Sequence, residues 1–169
     1  MHIKKITAIV VSVLLLAVFA GCSGSGDPES LFKEARALFE QGKYLEASKG
    51  FDQVIKLDPK RADAHFYKGN ALSALGRKDE AVREYDTAIA LAPNVYQPYY
   101  NKGNALAVLG RYEEAIACYD KTISMNPKHL KSYMNKSALL RTMGRNPEAD
   151  SVMEEAKEAG ATNGGAGQK

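Results

Sequence analysis

The side chains that most often carry catalysis or bind metals are few in this sequence and lie far apart. Its histidines are His2, His65 and His129, and its cysteines are Cys22 and Cys118. No cluster of histidine, cysteine and carboxylate residues has the spacing that metal sites use. No serine–histidine–aspartate set and no phosphate-binding glycine loop is recognisable either. The sequence therefore predicts a protein that is not an enzyme and that has no metal or cofactor.

The adjacent acidic pairs are also poor candidates for acid–base catalysis. Neighbouring residues on a helix point in different directions, so the two carboxylates of a pair do not face each other. We interpret Glu113–Glu114 and Glu154–Glu155 as solvated charges. Cys118 stands alone, and we interpret it as a small core residue.

Cys22 follows a segment that has the three parts of a secretory signal. Lys4 and Lys5 give a positive start, residues 6–20 are apolar, and small residues precede the cysteine. A helix that crosses the ~30 Å hydrocarbon layer needs roughly 20 apolar residues. The run is short for that purpose and suits a signal. Two alternatives stay open. The segment could be an uncleaved membrane anchor, or the protein could be secreted with Cys22 free or in a disulfide.

The charge balance of the chain excludes strong electrostatic partners. Removing Lys4 and Lys5 with the signal from the 23 basic residues leaves 21, against 20 acidic residues. A net charge this close to zero creates no long-range field for nucleic acid or an anionic membrane. We therefore predict no nucleic-acid partner.

Most of the remaining sequence is one unit of 34 residues repeated along the chain. The octet YYNKGNAL at 99–106 aligns with HFYKGNAL at 65–72. A fixed period of this length is typical of a helical repeat array. Glycine ends a first helix because it adopts positive φ, and proline blocks continuation of a second helix. The recurring residues of these two kinds are Gly42, Gly76, Gly110 and Gly144, and Pro59, Pro93 and Pro127.

The repeated columns resemble the tetratricopeptide repeat (TPR) family. Its small residue in the first helix corresponds to Ala35, Gly69, Gly103 and Ser137, and its alanine in the second helix to Ala47, Ala81, Ala115 and Ala149. The resemblance implies an all-α solenoid of four antiparallel helix-turn-helix repeats, wound as a right-handed superhelix. The repeats would be 28–61, 62–95, 96–129 and 130–163, preceded by a flexible tether at 22–27 and followed by a disordered tail at 164–169.

Comparison of the repeats with one another predicts two further features. His65 aligns with Tyr99 and Tyr133 and is expected to be a packed, hydrogen-bonded histidine. The last repeat has Lys157 where the others have isoleucine, so its second helix, at 147–159, is expected to cap the array.

The residues before Cys22 also resemble a prokaryotic lipoprotein signal. Ala20 and Gly21 match the two small residues of that pattern, and Phe19 takes the place of its aliphatic residue. The resemblance implies that residues 1–21 are a signal peptide and that Cys22 carries the lipid. More than one acyl chain would anchor the protein stably on the extracytoplasmic side of a membrane in the cell envelope.

In the TPR family the first helices line a concave groove that binds peptides or partner helices. The resemblance therefore implies a binding site there. An asparagine amide both donates to and accepts from a peptide backbone, and tyrosine adds contact area at little entropic cost. The matching positions are Tyr67, Asn70, Tyr100, Asn101, Asn104, Lys131 and Asn135, with Phe32, Lys33, Arg36, Met134 and Arg141 beside them.

One subset of the family, which binds cytosolic chaperones, holds a C-terminal carboxylate in a clamp of Lys, Asn and Arg residues. Asn70, Asn101 and Lys131 match this clamp, whereas Phe32 and Asn135 replace its first Lys and its Arg. The sequence therefore does not predict a carboxylate clamp.

The overall prediction is a non-catalytic interaction module, anchored to the cell envelope, that binds a protein or peptide partner and no small-molecule substrate. Two alternatives stay open. One is a structural assembly factor of an envelope complex such as a pilus, a secretin or outer-membrane machinery. The other is an accessory subunit of a membrane enzyme or transporter. Secretion without an anchor is the alternative location.

Overall fold

The computed structural model describes residues 26–161, and eight α-helices make up that part of the chain. The predicted signal, Cys22 and the tail at 164–169 lie outside the described residues. The all-α helical solenoid predicted from the sequence is confirmed. The helices are α1 (Pro28–Glu40), α2 (Tyr44–Leu57), α3 (Ala62–Ala74), α4 (Lys78–Leu91), α5 (Tyr96–Val108), α6 (Tyr112–Met125), α7 (Leu130–Thr142) and α8 (Asn146–Glu158).

The turn inside each repeat is made by a glycine in the left-handed conformation, as the sequence predicted. Gly110, between α5 and α6, has φ 75°, and the equivalent glycines lie between 76° and 80°. After this glycine, the Arg111 N–H donates to the Leu106 carbonyl at 2.9 Å, and the other three turns repeat the bond. This bond satisfies a carbonyl that the end of the helix would leave unpaired.

The small residue in the first helix makes room for an aromatic ring from the second. A Cβ atom added at Gly103 would lie 2.8 Å from Tyr119 Cε1, and one at Gly69 would lie 2.7 Å from Tyr85 Cε1. Both tyrosines are almost completely buried. The small residue of the first helix therefore accommodates a tyrosine ring of the second helix.

Neighbouring repeats are joined by apolar contacts and by a recurring ion pair. The second helix of each repeat packs against the first helix of the next one. At the same position of α3, α5 and α7 a lysine reaches back to an aspartate of the preceding repeat. These inter-repeat ion pairs are Lys68–Asp52 at 2.7 Å, Lys102–Asp86 at 2.5 Å and Lys136–Asp120 at 2.5 Å.

The chain folds back after α8. Gly160 has φ 67°, and the Ala161 N–H donates to the Ala156 carbonyl at 2.8 Å. Ala161 is consequently buried against the core cluster of the last repeat. None of the eight helices is both long enough and apolar enough to cross a membrane.

Candidate functional site

Two asparagines on neighbouring first helices are joined by hydrogen bonds between repeats 2 and 3. Asn70 lies on α3 and Asn101 on α5. The Asn70 Oδ1 atom accepts from the Tyr85 hydroxyl at 2.9 Å and from Asn101 Nδ2 at 2.7 Å. The core tyrosine that packs on Gly69 therefore also holds an amide that faces out of the core.

The same arrangement recurs between repeats 3 and 4. Asn104 Oδ1 accepts from the Tyr119 hydroxyl at 2.9 Å and from Asn135 Nδ2 at 2.9 Å. Asn135 Nδ2 also lies 3.4 Å from the Tyr100 hydroxyl. We call the four asparagines, Asn70, Asn101, Asn104 and Asn135, the amide ladder.

Burial keeps the two core tyrosines protonated and therefore able to donate. Loss of hydration raises the pKa of Tyr119 to about 12 and raises the pKa of Tyr85 as well. Because the Asn70 and Asn104 oxygens already accept two bonds each, the Nδ2 groups of these residues are the atoms available to a ligand. Within residues 26–161, neither Nδ2 group donates to another side chain or to the backbone, and neither is buried without a partner.

Three members of the amide ladder line an open cavity of about 390 Å³. Lys78, at the start of α4, also borders it. Its Nζ donates to the Ser73 carbonyl at 2.6 Å and to the Ser73 hydroxyl at 2.9 Å. Amide and ammonium donors thus converge on one space that can receive hydrogen-bond acceptors. The lining is Phe39, Asn70, Ser73, Ala74, Lys78, Tyr85, Asn101 and Asn104.

A second, more apolar cavity of about 380 Å³ lies between the same two repeats. Phe66 and Tyr67 contribute from α3, Val95 from the loop before α5, and Pro98 from the first turn of α5. The first helices of repeats 2 and 3 therefore border one cavity with polar donors and one suited to an apolar side chain.

Tyr67, a predicted groove residue, is mainly part of the aromatic core between repeats 1 and 2. Its ring stacks on Phe51 at 5.8 Å and meets Phe32 edge-on at 5.6 Å. It also borders the apolar cavity. The structure thus assigns this ring a packing role in addition to any contact with a ligand.

Tyr100 is held by His129, the last residue of the same repeat, just before α7. The His129 ring meets the Tyr100 ring edge-on at 4.7 Å, and His129 Nδ1 lies 2.8 Å from the Ser132 hydroxyl. Partial burial lowers the pKa of His129 and so favours the neutral imidazole. His129 therefore helps to fix the position of the Tyr100 ring.

Lys131 is exposed on α7 and does not line the cavity with Asn70, Asn101 and Asn104. Phe32 is buried beneath the Arg61 guanidinium, whose carbon lies 4.0 Å from the ring centroid.

Lys78 and Ser73 were missed from the sequence. The family pattern points to the first helices, whereas Lys78 belongs to a second helix. Its outward direction depends on the bond to Ser73, which no spacing rule predicts. The sequence offers one signal for this contact. Lys78 comes directly after the turn residue Arg77 and five positions after Ser73.

The other residues that were considered for chemistry have structural roles. His65 Nδ1 lies 2.7 Å from a Glu84 carboxylate oxygen and Nε2 lies 3.2 Å from the Pro59 carbonyl, so the predicted hydrogen-bonded histidine is confirmed. Cys118 is buried, and burial raises the pKa of its thiol. No group of three or more metal-binding side chains occurs in the described part of the chain.

Sequence comparison finds the tetratricopeptide repeat in two segments of the chain. One family profile matches residues 32–96 and a second matches residues 96–129. Together they cover more than half of the chain. The matched segments contain Asn70, Asn101 and Asn104, and Asn135 lies beyond them. A search of curated proteins found no match.

Many solved structures share this fold, since 310 chains match. The alignment with a crystal structure of MamA covers 82% of this chain and 81% of the MamA chain, with 25% sequence identity and a TM-score of 0.79. The alignment with a second MamA structure covers 79% of this chain and 73% of the MamA chain, with 26% sequence identity and a TM-score of 0.76. The alignment with MamA from Desulfovibrio magneticus RS-1 covers 83% of this chain and 80% of the MamA chain, with 24% sequence identity and a TM-score of 0.76.

Proposed function

Because the chain belongs to the tetratricopeptide repeat family, we propose that this interaction scaffold binds an extended segment of a partner protein in its concave groove. The observation that carries the proposal is the convergence of donors on the 390 Å³ cavity. Asn70 and Asn104 offer amide N–H groups there, and Lys78 offers an ammonium group. The carbonyl oxygens of an extended peptide are acceptors that these groups would bind.

The apolar cavity beside Phe66, Val95 and Pro98 supports the same proposal. It would receive an apolar side chain of a peptide whose backbone lies along the amide ladder. Ordering a flexible peptide costs much of the contact energy, so one such groove gives modest affinity.

Anchoring would offset this modest affinity. We propose that lipid on Cys22 holds the protein at the extracytoplasmic face of a membrane, where partner and groove share a small volume. The five residues after Cys22 in the predicted tether, 23–27, would span roughly 12 Å as a flexible coil and would keep the groove near the bilayer. The proposal comes from the sequence of residues 1–27. Mass spectrometry of the mature N-terminus tests it, and an unmodified Cys22 would rule out the lipoprotein.

Site-specific photo-cross-linking in the producing cells tests the groove. A benzophenone amino acid at Ala74, which is exposed and lines the polar cavity, should give covalent adducts with partner proteins. The matched control is the same label at Lys121, an exposed residue of α6 outside both cavities. Equal adduct yields at the two positions would contradict binding in the groove.

An amide substitution then tests the ladder directly. Asn101→Ala is the cleanest variant, because Asn101 makes no bond to a core tyrosine, unlike Asn70 and Asn104. We expect the adduct yield at Ala74 to fall up to about fivefold, because the Asn70 amide loses the bond from Asn101 that helps to orient its N–H groups, a bond of about 1 kcal/mol. Asn94→Ala, in the exposed loop before α5, should leave the yield unchanged.

The identity of the adducts separates peptide binding from the two alternatives. Unrelated proteins that share one terminal motif would support a peptide-binding scaffold. A single stoichiometric membrane complex would instead favour an assembly factor or an accessory subunit.

A further inference from the structure

Helix α1 has a face that no other helix within residues 26–161 covers, although Gly26 lies beside Leu31 on it. Leu31 and Leu38, both partly buried, lie on this face. With Ala35, which is buried against α2, and Gly50 of α2, they line a shallow cavity of about 250 Å³. A Cβ atom at Gly50 would lie 2.8 Å from Ala35 Cβ, so α1 and α2 are in close contact beneath the cavity. The result is an open surface at the N-terminal end of the array, lined by both apolar and charged residues and separate from the polar cavity.

The later repeats show what such a face accommodates. Leu38 is equivalent to Leu72, Leu106 and Leu140, whose exposed fractions are 2%, 0% and 1%. Each of those leucines lies on a helix that packs against the second helix of the preceding repeat. Leu38 is only partly buried, and α1 packs on α2 and α3 alone. The face therefore has the shape of a surface that accepts one more helix.

The charge on this face is the reverse of that in the later repeats. Lys68, Lys102 and Lys136 bind aspartates of the preceding helix, and the equivalent residue of α1 is Glu34.

Glu46 contributes a second negative charge because it borders the same cavity. Its equivalents Glu80, Glu114 and Glu148 each pair with an arginine, whereas Glu46 has no ion-pair partner within the part that the structure describes. With Lys49 also lining the cavity, the formal net charge of the lining is −1.

We propose that this face docks an amphipathic helix of a partner protein, with a lysine or arginine where the chain's own second helices carry aspartate. The basic residue would pair with Glu34, as Asp86 pairs with Lys102, and apolar residues would cover Leu31 and Leu38. A second copy of this chain is a poor occupant. The exposed second helix at the other end of the array has Glu154 at the aspartate position, and this glutamate would face Glu34.

A charge-swap titration tests the proposal. The probe is a peptide with the 14-residue sequence of α6, in which Cys118 is replaced by alanine and Asp120 by lysine. The matched probe keeps Asp120. Both peptides are titrated into the full chain and into its Glu34→Lys variant, each held in lipid nanodiscs. The leucine methyl signals in NMR spectra are the readout. Glu34 is exposed, and lysine is the residue found at this position in the other repeats, so the variant should fold normally.

We expect the lysine peptide to shift the Leu31 and Leu38 signals saturably. It should bind the unmodified chain about fivefold more tightly than the aspartate peptide, the preference that one exposed ion pair gives. The preference should reverse in Glu34→Lys.

Three results would overturn the proposal. The first is the absence of the expected preference, either because neither peptide shifts these two leucines at concentrations up to about 1 mM or because both bind equally before and after the swap. The second is a concentration-dependent dimer that Leu38→Asp abolishes, which would assign the face to a second copy. The third is that the peptides bind only after residues 1–21 are removed, which would assign it to the chain's own N-terminal segment.

Discussion

At the scale of single residues, the buried tyrosine hydroxyls decide which atoms of the amide ladder a ligand can reach. Tyr119 and Asn135 both donate to Asn104 Oδ1, so the acceptor side of that amide is occupied. The N–H groups of Asn104 are left for the groove. Tyr119 therefore acts on the site from the core and touches no ligand.

Replacing Tyr119 by phenylalanine should lower the free energy of unfolding by about 1 kcal/mol, the net contribution of one hydrogen bond. Urea denaturation at neutral pH measures this change. Tyr112→Phe is the matched control, because the Tyr112 hydroxyl makes no hydrogen bond to another residue in the 26–161 segment. Equal losses in the two variants would show that the bond to Asn104 contributes nothing.

The same tyrosines predict a loss of stability in alkali. An unfolded tyrosine ionises near pH 10, whereas burial raises the pKa of folded Tyr119 to about 12. Between these values the unfolded chain releases a proton that the folded chain keeps, so the stabilisation is complete below about pH 10 and decreases towards pH 12. Urea midpoints measured from about pH 8 to about pH 11 should fall less steeply in Tyr119→Phe. An unchanged slope would contradict this origin.

At the scale of the helical elements, the turn glycines set where each first helix ends. Gly110 has φ 75°, and a Cβ atom there would meet nothing within 4 Å. Substitution at Gly110 therefore isolates the cost of the backbone conformation from any steric clash.

Gly110→Ala should lower the free energy of unfolding by about 1 kcal/mol, because the left-handed conformation is unfavourable for a residue with a Cβ. Gly110→Asn should cost less, since asparagine tolerates this conformation better. Thermal and urea denaturation of the two variants compare these costs. If asparagine were as costly as alanine, the loss would have to come from a contact at the turn.

The helical elements could be predicted from the sequence because their ends depend on local chemistry. Gly110 and Pro127 act through their own backbone angles, which neighbouring repeats do not alter. The bonds of the amide ladder could not be predicted in the same way. Whether Asn101 reaches Asn70 depends on how far one repeat is rotated and shifted relative to the next, and that geometry arises from packing along the whole interface.

Lys78 illustrates the same limit. The resemblance to the repeat family implied that residues of the first helices face the groove, and the structure places Asn70 and Asn104 beside the polar cavity. Lys78 reaches that cavity from a second helix because Ser73 holds its ammonium group. A contact between side chains of two elements follows from their packed positions and not from a spacing within either element.

At the scale of the whole molecule, stability is distributed along a row of repeats and not around one centre. The buried residues form three clusters in chain order, with the central one shared by repeats 2 and 3. Each repeat contacts its sequence neighbours, so an end repeat is supported from one side and an inner repeat from two. The amide ladder lies mainly on the inner repeats, where this support is greatest.

Hydrogen exchange should reveal this difference through two matched core truncations. Val152→Ala removes a buried contact in the last repeat, and we expect faster exchange only in α7 and α8, because an end repeat can open alone. Leu106→Ala removes a fully buried side chain of the central cluster, at a cost of about 2–5 kcal/mol. Because repeat 3 supports both neighbours, this variant should speed exchange in α3 to α8. Mass spectrometry of peptic fragments measures both patterns. If Val152→Ala increased exchange uniformly from α1 to α8, the four repeats would unfold as one unit, and the groove would have no stability advantage from its central position.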